Sequence, residues 1–218
     1  MTTSQQRPQT GKAGSVFADY RKFAARAARK PGLVGAVAPS SPYLAREMAA
    51  VVPRSRPAAD ERTGPVVVEL GPGTGALSRA VRDRLPEGGR HLAIELDGGM
   101  VEHLRADLPW LEVVQGDAAK LRALLADAGV AEVDAVISGL PWSIFSAELQ
   151  RDILSEVGKV LAPGGAFTTF AYVHALGMAG ARGFRRRLDG AFDEVLTSRT
   201  VWRNVPPARI YTCRRPSD

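Results

Sequence analysis

Residues 66–81 read VVVELGPGTGALSRAV: apolar β-formers ending in Glu69 and Leu70, three glycines within five positions, then a stretch with helical spacing. Short strands that are apolar on both sides belong to parallel sheets covered on both faces. Glycines directly after such a strand allow positive φ and leave bare main chain that another group can approach closely. Gly71, Gly73 and Gly75 therefore predict a strand, a tight turn and a helix beginning near Thr74. A nucleotide-like ligand would fit against that turn. A ligand-free connection satisfies the pattern as well, because a glycine turn alone is a weak signal.

The same alternation extends on both sides of the turn. Strands are predicted at 66–70, 90–96, 111–115, 133–138 and 166–173, with helices at 74–85, 98–107, 117–128 and 145–161. Strands alternating with helices indicate an α/β fold with a parallel sheet. Two further β-rich runs, FDEVLTSRTVWRN and ARIYTCRR, predict an antiparallel hairpin that completes a seven-stranded, mostly parallel sheet at one edge. Upstream, residues 1–14 are polar and aperiodic and are expected to be disordered. Residues 15–53 predict two helices, the second started by Ser41 and Pro42 as cap and first-turn residue. A proline- and charge-rich linker leads to a main domain at 64–215.

Composition narrows the setting. The 218 residues, 45% of them hydrophobic, suffice for one substantial core. One cysteine excludes an internal disulfide framework, and the polar N-terminus and the lack of a long apolar run predict a soluble, cytoplasmic protein. The net charge of +6 is concentrated: residues 1–46 hold eight of the 29 Lys and Arg against one acid, Asp19. Within that segment Phe17, Tyr20 and Phe23 share one helical face, while Arg21, Lys22, Arg26, Arg29 and Lys30 project largely from the other. Such a helix suits an anionic membrane surface; packing on the domain core and contact with nucleic-acid phosphates are the alternatives.

Polar residues recur at the predicted strand ends. Glu95 closes the second strand about 20 residues beyond the glycine turn, where an acid can accept from both ribose hydroxyls. Asp117 follows the third strand in QGDA, and the fourth ends in Ser138-Gly139-Leu140-Pro141-Trp142. A nicotinamide dehydrogenase would require G-x-G-x-x-G; here Gly75 stands two positions after Gly73, which disfavours it.

With E-L-G-P-G-T-G, A-I-E and the S-G-L-P-W loop, the chain resembles the Rossmann-like class I methyltransferases that use S-adenosylmethionine. The resemblance implies that Glu69, Gly71, Pro72, Gly73, Thr74 and Gly75 hold the methionine end of the cofactor, and it counts Ser40 and Ser41 among the cofactor-binding residues. It implies Glu95 and Leu96 at the ribose, and Gly116, Asp117 and Ala118 at the adenine. The Ser138–Trp142 loop would receive an acceptor amine through its main-chain carbonyls, Ser138 standing where amino-directed enzymes usually have Asn or Asp. Tyr43, Trp142 and Tyr172 would line the acceptor pocket, since aromatic faces attract ammonium groups.

Among these enzymes, V-G-A-V-A-P-S-S at 34–41, the S-G-L-P-W loop and W-R-N-V-P-P-A-R-I-Y at 202–211 resemble the bacterial phospholipid N-methyltransferases, relatives of the ribosomal RNA adenine dimethylases. That resemblance implies stepwise methylation of phosphatidylethanolamine toward phosphatidylcholine by a protein attached peripherally to the inner face of the membrane. Methylation of an RNA adenine or a small amine, and a non-catalytic binding module on this fold, remain the rivals. No His/Cys cluster suggests a metal site, and a lone residue such as His174 is more often a surface group than a base.

Overall fold

A computed structural model of the chain describes residues 40–55 and 64–217. The expectations for residues 1–39, including the amphipathic helix and its membrane-facing residues Phe17, Tyr20, Arg21, Lys22, Phe23, Arg26, Arg29 and Lys30, lie outside the described residues.

The first element of the described residues is helix α1 (Pro42–Met48), started as predicted: the Ser41 hydroxyl accepts from the Leu44 N–H at 3.2 Å and Pro42 occupies the first turn. Strand β1 (Val66–Leu70), helix α2 (Ala76–Arg82), β2 (Arg90–Glu95), α3 (Gly98–Asp107), β3 (Glu112–Gln115), α4 (Leu121–Asp127), β4 (Val133–Ser138) and α5 (Ala147–Val160) follow in regular alternation. Strand β5 (Leu161–Tyr172), α6 (Ala179–Ala191), β6 (Phe192–Thr197) and β7 (Ala208–Pro216) complete the order.

The seven strands lie in the order β3-β2-β1-β4-β5-β7-β6. Five are parallel, and β7 runs antiparallel between β5 and β6. The predicted fold class and C-terminal hairpin are therefore both present. After β1 the chain builds outward through β2 and β3, then returns to place β4 on the other side of β1, so the order reverses between β1 and β4. In open α/β sheets that point, beyond the carboxyl ends of the strands, is where ligands bind.

Side-chain alternation divides the core. Val67, Ala135 and Ile137 face α1 and α2, packing with Leu44, Met48, Leu77 and Val81. On the same side Ala93 and Val113 pack on Val101 and Leu104 of α3. The opposite parity carries Phe167, which stacks on Phe192 and meets the edge of Trp142; Trp142 stacks in turn on Phe184 of α6.

Three elements differ from the sequence expectations. Helix α2 starts at Ala76 rather than Thr74, because Gly71, Gly73 and Gly75 all hold positive φ (67°, 55° and 77°) and keep the chain out of helix until the last of them is passed. Strand β5 begins at Leu161, not Ala166. Val133 pairs with Leu161 and Ala135 with Ala166, so the predicted A-P-G-G turn becomes a bulge inside the strand. Helix α6 was not anticipated. Its glycines 180, 183 and 190 depress helix propensity, and the arginine run conceals the apolar stripe of Ala181, Phe184 and Leu188.

Candidate active site

Three glycines carry the ladder one residue beyond their strands. Gly71 donates to the Ile94 carbonyl at 3.0 Å, Gly116 to Glu95 at 2.9 Å and Gly139 to Leu70 at 2.9 Å. These bonds align the turns after β1, β3 and β4 along the carboxyl edge of the sheet, those after β1 and β4 meeting at the reversal point. The turns after β1 and β4 interlock. A Cβ at Gly71 would lie 2.8 Å from the Leu140 side chain, and one at Gly139 would lie 2.8 Å from the Gly71 carbonyl. At Gly73, by contrast, a Cβ would meet nothing within 4 Å among the described residues. Its bare main chain faces open space.

Two carboxylates lie beneath this turn. Glu69 is fully buried; the Ser78 hydroxyl donates to its Oε2 at 2.6 Å, and His91 Nε2 lies 3.3 Å from the same oxygen. Its other oxygen, Oε1, has no hydrogen-bond partner among the described residues. A buried carboxylate oxygen left open in this way is suited to accept from a bound molecule, since an unsatisfied buried polar group is costly. Glu95 is also buried, and its Oε1 accepts the Asp97 N–H at 3.0 Å. Burial pushes its carboxyl pKa up, against the lowering effect of main-chain N–H groups of Asp97, Leu96 and Gly73. The Gly73 contribution puts the second acid beside the glycine turn. Asp117 caps the 3₁₀ turn at Ala118–Lys120, its Oδ1 accepting the Ala119 N–H at 3.0 Å.

The loop after β4 is rigid. Ser138 Oγ is buried and accepts from both the Leu140 N–H (3.3 Å) and the Trp142 indole N–H (3.1 Å). Its hydroxyl is thus turned into the loop, not toward an acceptor. Trp142 is 2% exposed, stacked on Phe184 at 4.6 Å; the ring expected in the wall of an acceptor pocket is built into the core. Pro141 and Leu140 span the turn, whose Trp142 carbonyl accepts from Gln150 Nε2 at 2.6 Å. Replacing Ser138 with alanine leaves two buried donors without their acceptor. A loss of about 2 kcal/mol in unfolding free energy is expected by denaturant titration.

The remaining predicted residues are spread around the same end of the sheet. Ser41 uses its hydroxyl as a helix cap and donates its N–H to Asn204 Oδ1 at 2.9 Å; Ser40 precedes it, half-buried. Tyr43 is half-exposed, with the Arg203 guanidinium 4.5 Å above its ring. Tyr172 is buried, which raises its pKa, and stacks on His174. Along α6, a helix that carried no sequence expectation, Arg185 pairs with Asp189, Arg187 donates to Gln150 and Arg182 donates to the Gly177 carbonyl. Sequence reasoning missed Ser78, which donates to Glu69, and His91, which lies against it. The alternation of His91, Ala93 and Glu95 along β2 was the available signal, since it puts all three on one face.

Comparison with known proteins follows the same geometry. Residues 67–165 match the model of a methyltransferase domain family. Over 199 residues the chain is 35% identical to an ornithine lipid N-methyltransferase from Singulisphaera acidiphila, covering 90% of this chain and 96% of that protein. The chain belongs to the class I S-adenosylmethionine-dependent methyltransferases. A probable ribosomal RNA small subunit methyltransferase A from Methanopyrus kandleri is 38% identical over 92 residues, 41% of this methyltransferase but 30% of the relative. Among solved structures, human methyltransferase-like protein 13 in complex with SAH shares the fold, with TM-score 0.56, 19% identity and coverage of 79% and 81% of the two chains. The open oxygen of Glu69, the bare face of Gly73 and the nearby Glu95 fit the family's sulfonium nucleoside, which carries an ammonium and ribose hydroxyls.

Proposed function

We propose that this methyltransferase transfers the methyl group to the primary amine of a membrane lipid. The observation that carries the proposal is the extent of the match to the ornithine lipid enzyme, which runs through almost the whole of both chains, whereas the RNA-directed relative is matched over less than a third of its length. An ornithine lipid is accordingly the first acceptor to test. Phosphatidylethanolamine, converted stepwise toward phosphatidylcholine, is the second, favoured by the S-G-L-P-W loop and the W-R-N-V-P-P-A-R-I-Y segment. Both lipids offer a terminal amine at the bilayer surface, and the cationic segment at 15–31 would attach the protein to the anionic inner face of the membrane.

When bound, the cofactor supplies an electrophilic methyl on its sulfonium. Glu69 Oε1 would accept from the cofactor's ammonium while the main chain of Gly71–Gly75 closes on the methionine end; Glu95 would take the ribose hydroxyls, and Asp117 with Ala118 the adenine. The acceptor amine must be neutral and aligned behind the methyl, and alignment alone can supply several kcal/mol. In the loop after β4, the Leu140, Pro141 and Trp142 carbonyls already accept from main-chain N–H groups, while no donor among the described residues ends on the Gly139 carbonyl. That carbonyl, fixed against the glycine turn, would receive an N–H of the amine and direct its lone pair.

The test is expression in a host without methylated amine lipids, followed by lipid extraction and mass spectrometry, and transfer of labelled methyl in vitro to ornithine lipid, phosphatidylethanolamine and ribosomal RNA. Label in the lipids, ornithine lipid foremost, is expected. Label confined to RNA would refute the proposal.

A further inference from the structure

Apolar side chains are exposed at the acceptor end of the sheet. Trp202 and Val205 are 73% and 79% exposed in the connection between β6 and β7. This connection is held in shape. Val201 bridges to Ala208, Asn204 is buried with its Nδ2 donating to the Pro206 carbonyl at 2.7 Å, and Val173 donates to the Pro207 carbonyl at 2.8 Å. The bond from Ser41 to Asn204 and the Arg203–Tyr43 stack join it to the start of α1. Trp202 and Val205 are therefore presented to solvent by a braced tip. Because β7 runs antiparallel to β5, with Tyr172 opposite Ala208, the tip stands at the carboxyl ends of the parallel strands, where the loop after β4 also lies. Ile144 in that loop and Met178 before α6 are exposed at the same end.

The segments around the tip carry charge of one sign. Residues 198–209 contain three arginines and no acid, and neither the stretch 139–146 nor 173–182 contains an acid. We propose that the 201–207 tip, with Tyr43 beside it, inserts into the interfacial layer of an anionic lipid bilayer and so sets the mouth of the acceptor site against the membrane. This inference rests on the lipid-amine function proposed above and assigns the docking face to residues other than the 15–31 segment. Exposed tryptophan and tyrosine favour the headgroup level, aliphatic side chains just beneath it gain by leaving water, and arginines unopposed by acids meet anionic headgroups. Bound nucleic acid would use the arginines but would give Val205, Ile144 and Met178 nothing to bury in.

The single native thiol makes the experiment selective: Cys213 is buried and its pKa is pushed up to about 12 by burial, so it resists alkylation. The full chain carrying Val205→Cys is labelled with an environment-sensitive fluorophore and mixed with vesicles of phosphatidylcholine, alone or with phosphatidylglycerol. The emission is expected to shift to the blue and rise with the anionic vesicles only. The same label on Glu87→Cys, before β2 at the opposite end of the sheet, is expected not to respond. Replacing Trp202 and Val205 with serine is expected to weaken partition into anionic vesicles about ten-fold, with methyl transfer to amine lipid dispersed in detergent micelles unchanged. Vesicle binding without a change at Val205 would overturn the inference and leave the lipid-amine function standing, as would a Val205 response to duplex RNA but not to vesicles. A Val205 response without methylation of any amine lipid in micelles would uphold the docking face and remove the proposed function.

Discussion

Replacing Gly73 with leucine is expected to yield a folded protein whose affinity for S-adenosylmethionine falls by at least about 100-fold, equivalent to roughly 2.7 kcal/mol. The residue holds φ at 55°, so a side chain there costs about 1–2 kcal/mol of left-handed strain. Among the described residues a Cβ at that position meets nothing within 4 Å, so little further destabilisation arises from packing there. What the leucine does instead is fill the space on the open side of the turn, beside Glu95, where the nucleoside is proposed to lie. Gly75→Ala is the contrasting change. Its Cβ would lie 2.5 Å from Leu108 Cδ1 and 3.3 Å from Arg79 Nη1, in the packing of α2 against α3, so strain and overpacking add to about 2–5 kcal/mol of lost stability. Calorimetry with the cofactor and thermal melts on both variants separate the two effects. Full affinity in Gly73→Leu would remove the nucleoside from the turn.

The difference between these two glycines marks how far the sequence is legible. That a strand, a turn and a helix occupy 66–81 follows from local chemistry, as does the sharing of one strand end by Glu69 and the turn. Which glycine faces a ligand and which faces a leucine depends on α3, packed from elsewhere in the chain. Trp142 and Ser138 make the same point. The order S-G-L-P-W predicts a stiff turn but does not say that the indole N–H and the Leu140 N–H both end on the serine hydroxyl, because that requires Phe184 of α6 as the floor on which the ring lies. Helix α6 itself is held less by propensity than by burial of Phe184 and Leu188, a tertiary term absent from any local window. Glu95 was legible because a strand has a period of two and its end has an address; Asn204, which ties the 201–207 tip to α1, stands in a proline-rich loop with no period to read.

Glu95→Gln is expected to separate stability from binding. Burial raises the carboxyl pKa in the folded protein, so the folded state retains this proton to a higher pH than the unfolded chain does. The group favours folding most below the ordinary carboxylate range, and that advantage is lost as pH rises through the folded value. At neutral pH the wild-type protein therefore carries an unfavourable buried charge. Glutamine removes it while still offering an oxygen to the main-chain N–H groups of Asp97, Leu96 and Gly73. The variant is expected to melt at a higher temperature than wild type at pH 7, with the difference shrinking as pH falls below the ordinary carboxylate range, where the wild-type side chain becomes protonated in both states. Cofactor affinity should move the other way. A carboxylate accepting hydroxyl hydrogen bonds in a buried site contributes more than a neutral amide, by about 1.5–3 kcal/mol, so binding should weaken roughly ten- to hundred-fold. Such an opposition, a residue that costs the fold something and returns it only when a ligand arrives, is what a binding carboxylate produces and a structural one does not. Equal melting temperatures at pH 7, or unchanged affinity, would make Glu95 an ordinary strand-end acid.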